Sequence, residues 1–167
     1  MQKKLLSYIL ILPFLLLTIT TKAQIQLGAG LTFGTGISKL GINARGTYEI
    51  DEKFVAAPGV NFFFKDKAVS DVTVSYFSID LDAQYRLITI AEDVQVYPVG
   101  GLNIFRVSVN GPTGGIRFRE DGMKVGLNLG LGTQIATLSN WSYFGEFKFT
   151  IGGIDQTTIT AGVLYGF

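Results

Sequence analysis

Along most of the chain, apolar and polar residues alternate with a period of two, the spacing at which successive side chains of an extended strand take opposite faces. Between Leu40 and Ile50, Leu40, Ile42, Ala44, Tyr48 and Ile50 share one phase with Gly46, and Gly41, Asn43, Arg45, Thr47 and Glu49 share the other. From Phe77 to Leu87 the odd positions are Phe, Ile, Leu, Ala, Tyr and Leu, while Asp80, Asp82, Arg86, Ser78 and Gln84 hold the even ones. The same phasing runs through Ile25–Gly34, Val125–Ile135, Tyr143–Ile151 and Thr158–Phe167. Two more stretches, about Phe54–Phe64 and Val94–Val107, alternate less cleanly and contain Pro58 and Pro98, which suggest bulges or strand ends. The pattern predicts eight strands.

Between them lie turn-like segments at Gly36–Lys39, Asp51–Lys53, Lys65–Asp71, Thr89–Asp93, Val109–Gly122, Leu138–Asn140 and Gly152–Asp155. If both chain ends share one rim, that rim receives the short Asp51–Lys53, Thr89–Asp93 and Leu138–Asn140 turns, and the longest connection, Val109–Gly122, falls on the other. Short turns on one rim and longer loops on the other suit a transmembrane barrel. Ten or eleven residues at roughly 3.3 Å each, tilted near 40°, cross an apolar band of about 25 Å. A sheet that faces lipid cannot leave an edge unpaired, so it must close. The expected fold is therefore all-β: an eight-stranded antiparallel up-and-down transmembrane β-barrel.

A soluble barrel with an apolar interior would alternate in the same way. The two differ in which face is bulky. Here the polar phase is also the small phase, carrying Gly28, Gly30, Gly34, Gly41, Gly126, Gly130, Gly132, Gly162 and Gly166. Small polar residues suit a narrow lumen, and large apolar ones suit lipid. Tyr48, Tyr85, Tyr97, Tyr143, Tyr165 and Trp141 fall near strand ends on the short-turn rim, as expected of an interfacial aromatic girdle.

Composition narrows the function. Only 16% of the 167 residues are charged, against roughly 25% in ordinary soluble domains. There is no Cys and no His, so thiolate chemistry and the commonest general base are missing, and a net charge of +1 does not suit a nucleic-acid binder. The runs GAGLTFGTG and GLNLGLGT alternate glycine along strands and lack the strand–turn–helix setting of a dinucleotide loop. Residues 1–23 (MQKKLLSYILILPFLLLTITTKA) show the basic, apolar, small-residue order of a secretory signal peptide. Their apolar run is short of the roughly 20 residues needed to span. The expected organisation is a signal peptide over 1–23 and a barrel domain over 24–167. Without Lys3, Lys4 and Lys22, 11 basic residues remain against 13 acidic ones.

The N-terminal segment, the eight alternating strands and the terminal TITAGVLYGF resemble the small outer-membrane β-barrel proteins, the group of OmpX and the OmpA transmembrane domain. In its last strand, Tyr165 and the terminal Phe167 resemble that group's assembly signal. The resemblance implies a Gram-negative outer-membrane location and contact with membrane lipid and lipopolysaccharide. It further implies insertion by the barrel-assembly machinery, a monomeric state, and a structural or surface-interaction role without enzyme activity. A small passive porin-like channel is the alternative.

Candidate site residues are the charges on the inward phase: Arg45, Glu49, Asp80, Asp82, Arg86, Glu146 and Lys148. An unpaired charge in a narrow lumen is costly, so they are expected to pair into a plug. If they do not pair, they line a selective pore. Two carboxylates could also act as acid and base, but Asp80 and Asp82 have no nucleophile or metal ligand beside them in the pattern. No cofactor is expected. In Val109–Gly122, Ile116 and Phe118 alternate with Arg117 and Arg119 as in a short hairpin arm, which is expected to project above the membrane as a strand extension; the alternative makes Arg117, Phe118 and Arg119 candidate contacts for lipopolysaccharide or a partner. If residues 1–23 are a signal peptide, N-terminal sequencing of protein from the outer-membrane fraction will read from Gln24. An intact Met1 on membrane-inserted protein would refute the cleavage.

Overall fold

The computed structural model describes residues 25–68, 72–91, 93–113 and 116–167, with side chains described for all of these except 66–68, 72, 91, 111–113 and 116–121. The expected signal peptide lies outside the described residues. Among the described residues there are nine strand segments and no helix: β1 (Ile25–Gly34), β2 (Lys39–Glu49), β3 (Phe54–Ala68), β4 (Val72–Tyr85), β5 (Ile88–Ala91), β6 (Val94–Thr113), β7 (Ile116–Ala136), β8 (Trp141–Ile151) and β9 (Gln156–Gly166).

Every pairing is antiparallel. The order is β4-β3-β2-β1-β9-β8-β7-β6-β5, and a β4–β6 ladder from Thr73↔Asn110 to Gln84↔Val99 closes the sheet on itself. β5 continues along the same side of β6, from Ile88↔Val96. β4 and β5 thus form one stave, broken at Arg86 and Leu87, and the result is a closed eight-stranded antiparallel barrel. Gln26↔Gly166 and Gly34↔Thr158 bracket the β1–β9 seam that joins the first and last strands.

The turn-like 109–122 segment carries the expected strand extension: β6 and β7 pair without interruption from Val94↔Ile135 to Thr113↔Ile116. Each arm satisfies the other's backbone groups, so the glycines and Pro112 do not end the ladder. Likewise β3 and β4 run past the expected 65–71 turn, pairing out to Ala68↔Val72 across an irregularity between Phe63 and Asp66. On the short-turn rim, Asp51 accepts hydrogen bonds from the backbone N–H groups of Phe54 and Lys53, both at 2.7 Å. The bond from Phe54 and then that from Lys53 hold its carboxyl below the usual carboxylate range.

The two faces separate as the alternation requires. Leu27, Leu129 and Phe149 point away from the barrel at 54, 55 and 50% exposure, whereas Asn43, Asn128 and Thr160 are buried inside it. Large apolar side chains on the outside and a buried polar interior invert a water-soluble fold and match a lipid-facing wall.

Inward glycines make this possible. In register, Gly130 stands beside Lys148, Gly101 beside Asp82, Gly132 beside Glu146, and Gly28 and Gly59 beside Arg45. A Cβ at Gly130 would strike the Phe147 carbonyl and Lys148 Cα, while outward-facing Gly46 meets nothing closer than Leu27 Cδ2 at 3.5 Å. Gly130→Ala should therefore destabilise the barrel by about 1–3 kcal/mol. Gly46→Ala should change it little. Unfolding in lipid vesicles compares the two, and equal effects would contradict the packing described.

Candidate functional site

The site is the filled centre of the barrel. Arg45, on β2, reaches across the lumen to Glu146 on β8, donating from both terminal nitrogens at 2.6 Å to each carboxylate oxygen. Both side chains are almost wholly buried. The fork geometry of guanidinium against carboxylate gives two parallel charge-assisted bonds. Beneath them the Phe144 ring lies 4.3 Å from the guanidinium carbon. Glu146 Oε1 accepts two further bonds, from Gln84 Nε2 and from the Tyr97 hydroxyl, each at 3.0 Å.

The second layer is built on Lys148, two residues along β8 and so on the same inward face. Its ammonium donates to Asp80 Oδ2 at 3.0 Å and to Asp82 Oδ2 at 2.6 Å, both on β4. Its nitrogen also lies 3.9 Å from Glu146 Oε2, which links the two layers. Asp80 is further held by the amides of Asn61, Asn103 and Asn128 at 2.9, 2.6 and 3.0 Å. Asn128 bonds Asp82 as well, at 2.9 Å, and accepts from the Thr150 hydroxyl at 2.8 Å. A third pair, Arg86 with Glu49, is only half-buried and lies near the short-turn mouth.

All seven predicted lumen charges therefore sit on the inward face, five of them in two linked layers and Arg86 with Glu49 in a pair apart. Register alone would not have chosen the partners. Arg45 and Asp80 share one cross-strand row through Gly59, yet Arg45 pairs with Glu146 across the lumen. The residues overlooked were the neutral ones: Asn43, Asn61, Asn103, Asn128 and Gln84, all buried. Their signal was an amide on the inward phase of a strand.

Tyr97 requires a correction. It was expected in the outward girdle, but it is 2% exposed and points into the lumen. β6 places Tyr97, Val99, Asn103 and Phe105 inward, so apolar bulk alone misreads this strand's phase. The hydroxyl has Glu146 to bond there, which makes the interior the favourable side for this ring.

The other girdle residues lie on the outward phase. Trp141 packs edge-on against Tyr165 at 5.0 Å, and Tyr165 against Phe167 at 5.2 Å. Tyr85 meets Phe54 at 5.0 Å, Tyr143 is exposed, and Tyr48 is half-buried. Arg117, Phe118 and Arg119 fall within β7, in the hairpin arm.

Apolar side chains close the polar layers from both sides. Toward the long-loop rim, Phe105 lies 6.2 Å from Phe63 and 6.0 Å from Tyr76, and toward the short-turn rim stand Phe144, Leu164, Val55 and Val99. Beyond these, a cavity of about 260 Å³ opens at the short-turn mouth, lined by Gln26, Gln134, Ser142 and Phe167 among others. Among the described residues, no cluster of three or more His, Cys, Asp or Glu is placed to hold a metal.

The family model described as outer membrane protein beta-barrel domain matches residues 10–167. The chain belongs to the outer-membrane β-barrel domain family. Among solved structures, this outer-membrane barrel is similar to Neisserial surface protein A at 18% identity and TM-score 0.66, over 88% of this chain and 98% of that one. The N-terminal barrel domain of Pseudomonas aeruginosa OprF matches at 14% and 0.64, over 86% and 97%. The attachment invasion locus protein Ail of Yersinia pestis matches at 18% and 0.58, over 87% and 97%. At such identities the likeness is one of fold. No curated protein matches the sequence.

Removing one partner of a buried ion pair leaves an uncompensated charge, so Arg45→Ala should cost the outer-membrane barrel about 3–5 kcal/mol. Tyr97→Phe should cost about 1.5–3 kcal/mol, as expected for a lost hydrogen bond to a charged group. Tyr143→Phe, on the outward face, should be nearly neutral. Urea titrations in vesicles distinguish these, and equal effects at the two tyrosines would remove Tyr97 from the lumen network.

Proposed function

We propose that this protein is a closed structural and surface-interaction barrel of the Gram-negative outer membrane, with a sealed lumen and no channel activity. The observation that carries this reading is the buried Arg45–Glu146 clasp stacked on the Lys148–Asp80–Asp82 bridge. Both span the lumen, and both are bordered by aromatic and aliphatic side chains. An ion crossing this layer would have to separate buried pairs before it found any compensating contact, a cost of several kcal/mol. No reaction is assigned, because each lumen carboxylate is held by cations, amides or a tyrosine hydroxyl.

The outward surface supports the rest of the reading. Lipid contacts the aliphatic band, and Trp141 and Tyr143 fit the interface near the short-turn rim. Tyr165 and Phe167 are proposed as the element presented to the assembly machinery. Beyond the opposite rim the β6–β7 arm projects as paired backbone, and there lipopolysaccharide or a partner can meet the barrel.

Refolded wild-type protein in a planar bilayer should show near-zero conductance, and Arg45→Ala should raise it. A conducting wild type whose ion selectivity, rather than conductance, changes in Arg45→Ala would replace the sealed barrel with a passive pore.

A further inference from the structure

The cavity of about 260 Å³ at the short-turn mouth is lined by Gln26 on β1, Gln134 on β7, Ser142 on β8 and the turn residues Ser139 and Asn140, with Trp141 beside them. A second cavity, of about 170 Å³, shares Gln134 and extends toward Thr89 and Gln95. On the inner side, buried Phe144 stands in register with Gln134, and its ring lies 4.3 Å from the Arg45 guanidinium carbon. The mouth is therefore a blind pocket below the charged layers. None of the side chains lining the larger cavity is ionisable. Arg86 and Glu49, also near this mouth, bond each other.

The two glutamines are locked together. Gln134 Nε2 donates to Gln26 Oε1 at 3.1 Å and to Ser142 Oγ at 2.9 Å, and the Thr47 hydroxyl donates to Gln26 Oε1 at 3.3 Å. These bonds use both hydrogens of the Gln134 amide and both lone pairs of the Gln26 carbonyl. A donor on Gln26 Nε2 and an acceptor on Gln134 Oε1 are left over, with no partner among the described residues. Space is left beside them as well. At Gly166, in register with Gln26, an added Cβ would meet nothing closer than 3.8 Å.

We propose that this mouth is a binding pocket for a neutral acetamido sugar of the cell-wall glycan. The secondary amide of such a sugar complements the leftover pair, its carbonyl accepting from Gln26 and its N–H donating to Gln134. Ser139, Asn140 and Ser142 then offer polar groups to the ring hydroxyls, for which a peptide main chain has no counterpart. A charged ligand is disfavoured, because it would give up water without meeting a counter-ion in the larger cavity. Short turns lie on the periplasmic side of such barrels, and the wall glycan is on that side. The proposal goes beyond the closed-barrel reading and does not depend on it, since the pocket lies outside the charged layers.

Trp141 is the single tryptophan of the chain, so its fluorescence reports this mouth. Full-length protein in phosphocholine-detergent micelles should show a saturable fluorescence change with the disaccharide of N-acetylglucosamine. Saturation-transfer NMR should mark the acetamido methyl of the same probe. Cellobiose, which keeps the rings and hydroxyls but has no amide, should bind roughly tenfold more weakly or worse, as expected for lost hydrogen bonds. Gln134→Leu and Gln26→Leu, their folding checked by heat-modifiable migration, should each weaken the original probe by a similar factor. N-acetylalanine methylamide, an amide without a ring, should not compete. Absence of saturation transfer overturns the proposal, and so does unchanged affinity in both variants or equal binding of cellobiose. Competition by the methylamide would give the pocket to a polypeptide and overturn the saccharide. Planar-bilayer conductance bears only on the sealed lumen, so the two readings fail separately.

Discussion

In the hydrocarbon layer of a membrane, a backbone N–H or C=O has no water to bond, so each must find a partner in the protein. For strands this requirement is met only by closing the sheet. The closing ladder here is the long antiparallel pairing of β4 with β6, while the β1–β9 seam joins the first and last strands. Pro58 and Pro98, which lack a donor, stand on the outward phase beside Leu81 and Leu131. Beyond the membrane the requirement lapses, and a margin such as that of β7 at Ile116–Met123 can stand without a partner strand.

Closure at eight strands creates a second constraint, because the interior is just wide enough for side chains to fill. The chain fills it unevenly, with glycine beside nearly every large polar group. Gly130, Gly101 and Gly132 give up their volume so that Lys148, Asp82 and Glu146 can extend across the axis. The ion pairs follow from that arrangement. Arg45 and Lys148 enter a buried space where an isolated charge is costly, and carboxylates projecting from β8 and β4 meet them there. The neutral amides complete the coordination, leaving Asp80 with four side-chain donors.

Much of this was legible from the amino-acid order. Period two gave the strand number, the phase of most strands and the inward placement of all seven lumen charges, because side-chain direction in a strand is a local property. The asymmetry of small polar against large apolar residues decided which face met lipid. Reading failed where bulk and phase disagreed. Tyr97 and Phe105 are large and apolar in body but lie inward on β6, the strand whose alternation was least regular. The extension of β3 and β4 past the expected 65–71 turn was also hidden, since polar and charged residues there read as a turn and their tolerance in a ladder depends on a partner strand beside them.

The sequence by itself determined that this chain would be a closed sheet with charge on one face and lipid on the other. Both are consequences of local alternation and of a solvent that forbids open edges. Which charge met which was decided only in three dimensions. Arg45 shares a cross-strand row with Asp80 but bonds Glu146, because the shear and curvature of the closed wall bring distant staves together across the axis and no spacing along the chain records that distance. The projecting margin of β7 has the same origin, since it exists where two neighbouring staves end at different heights.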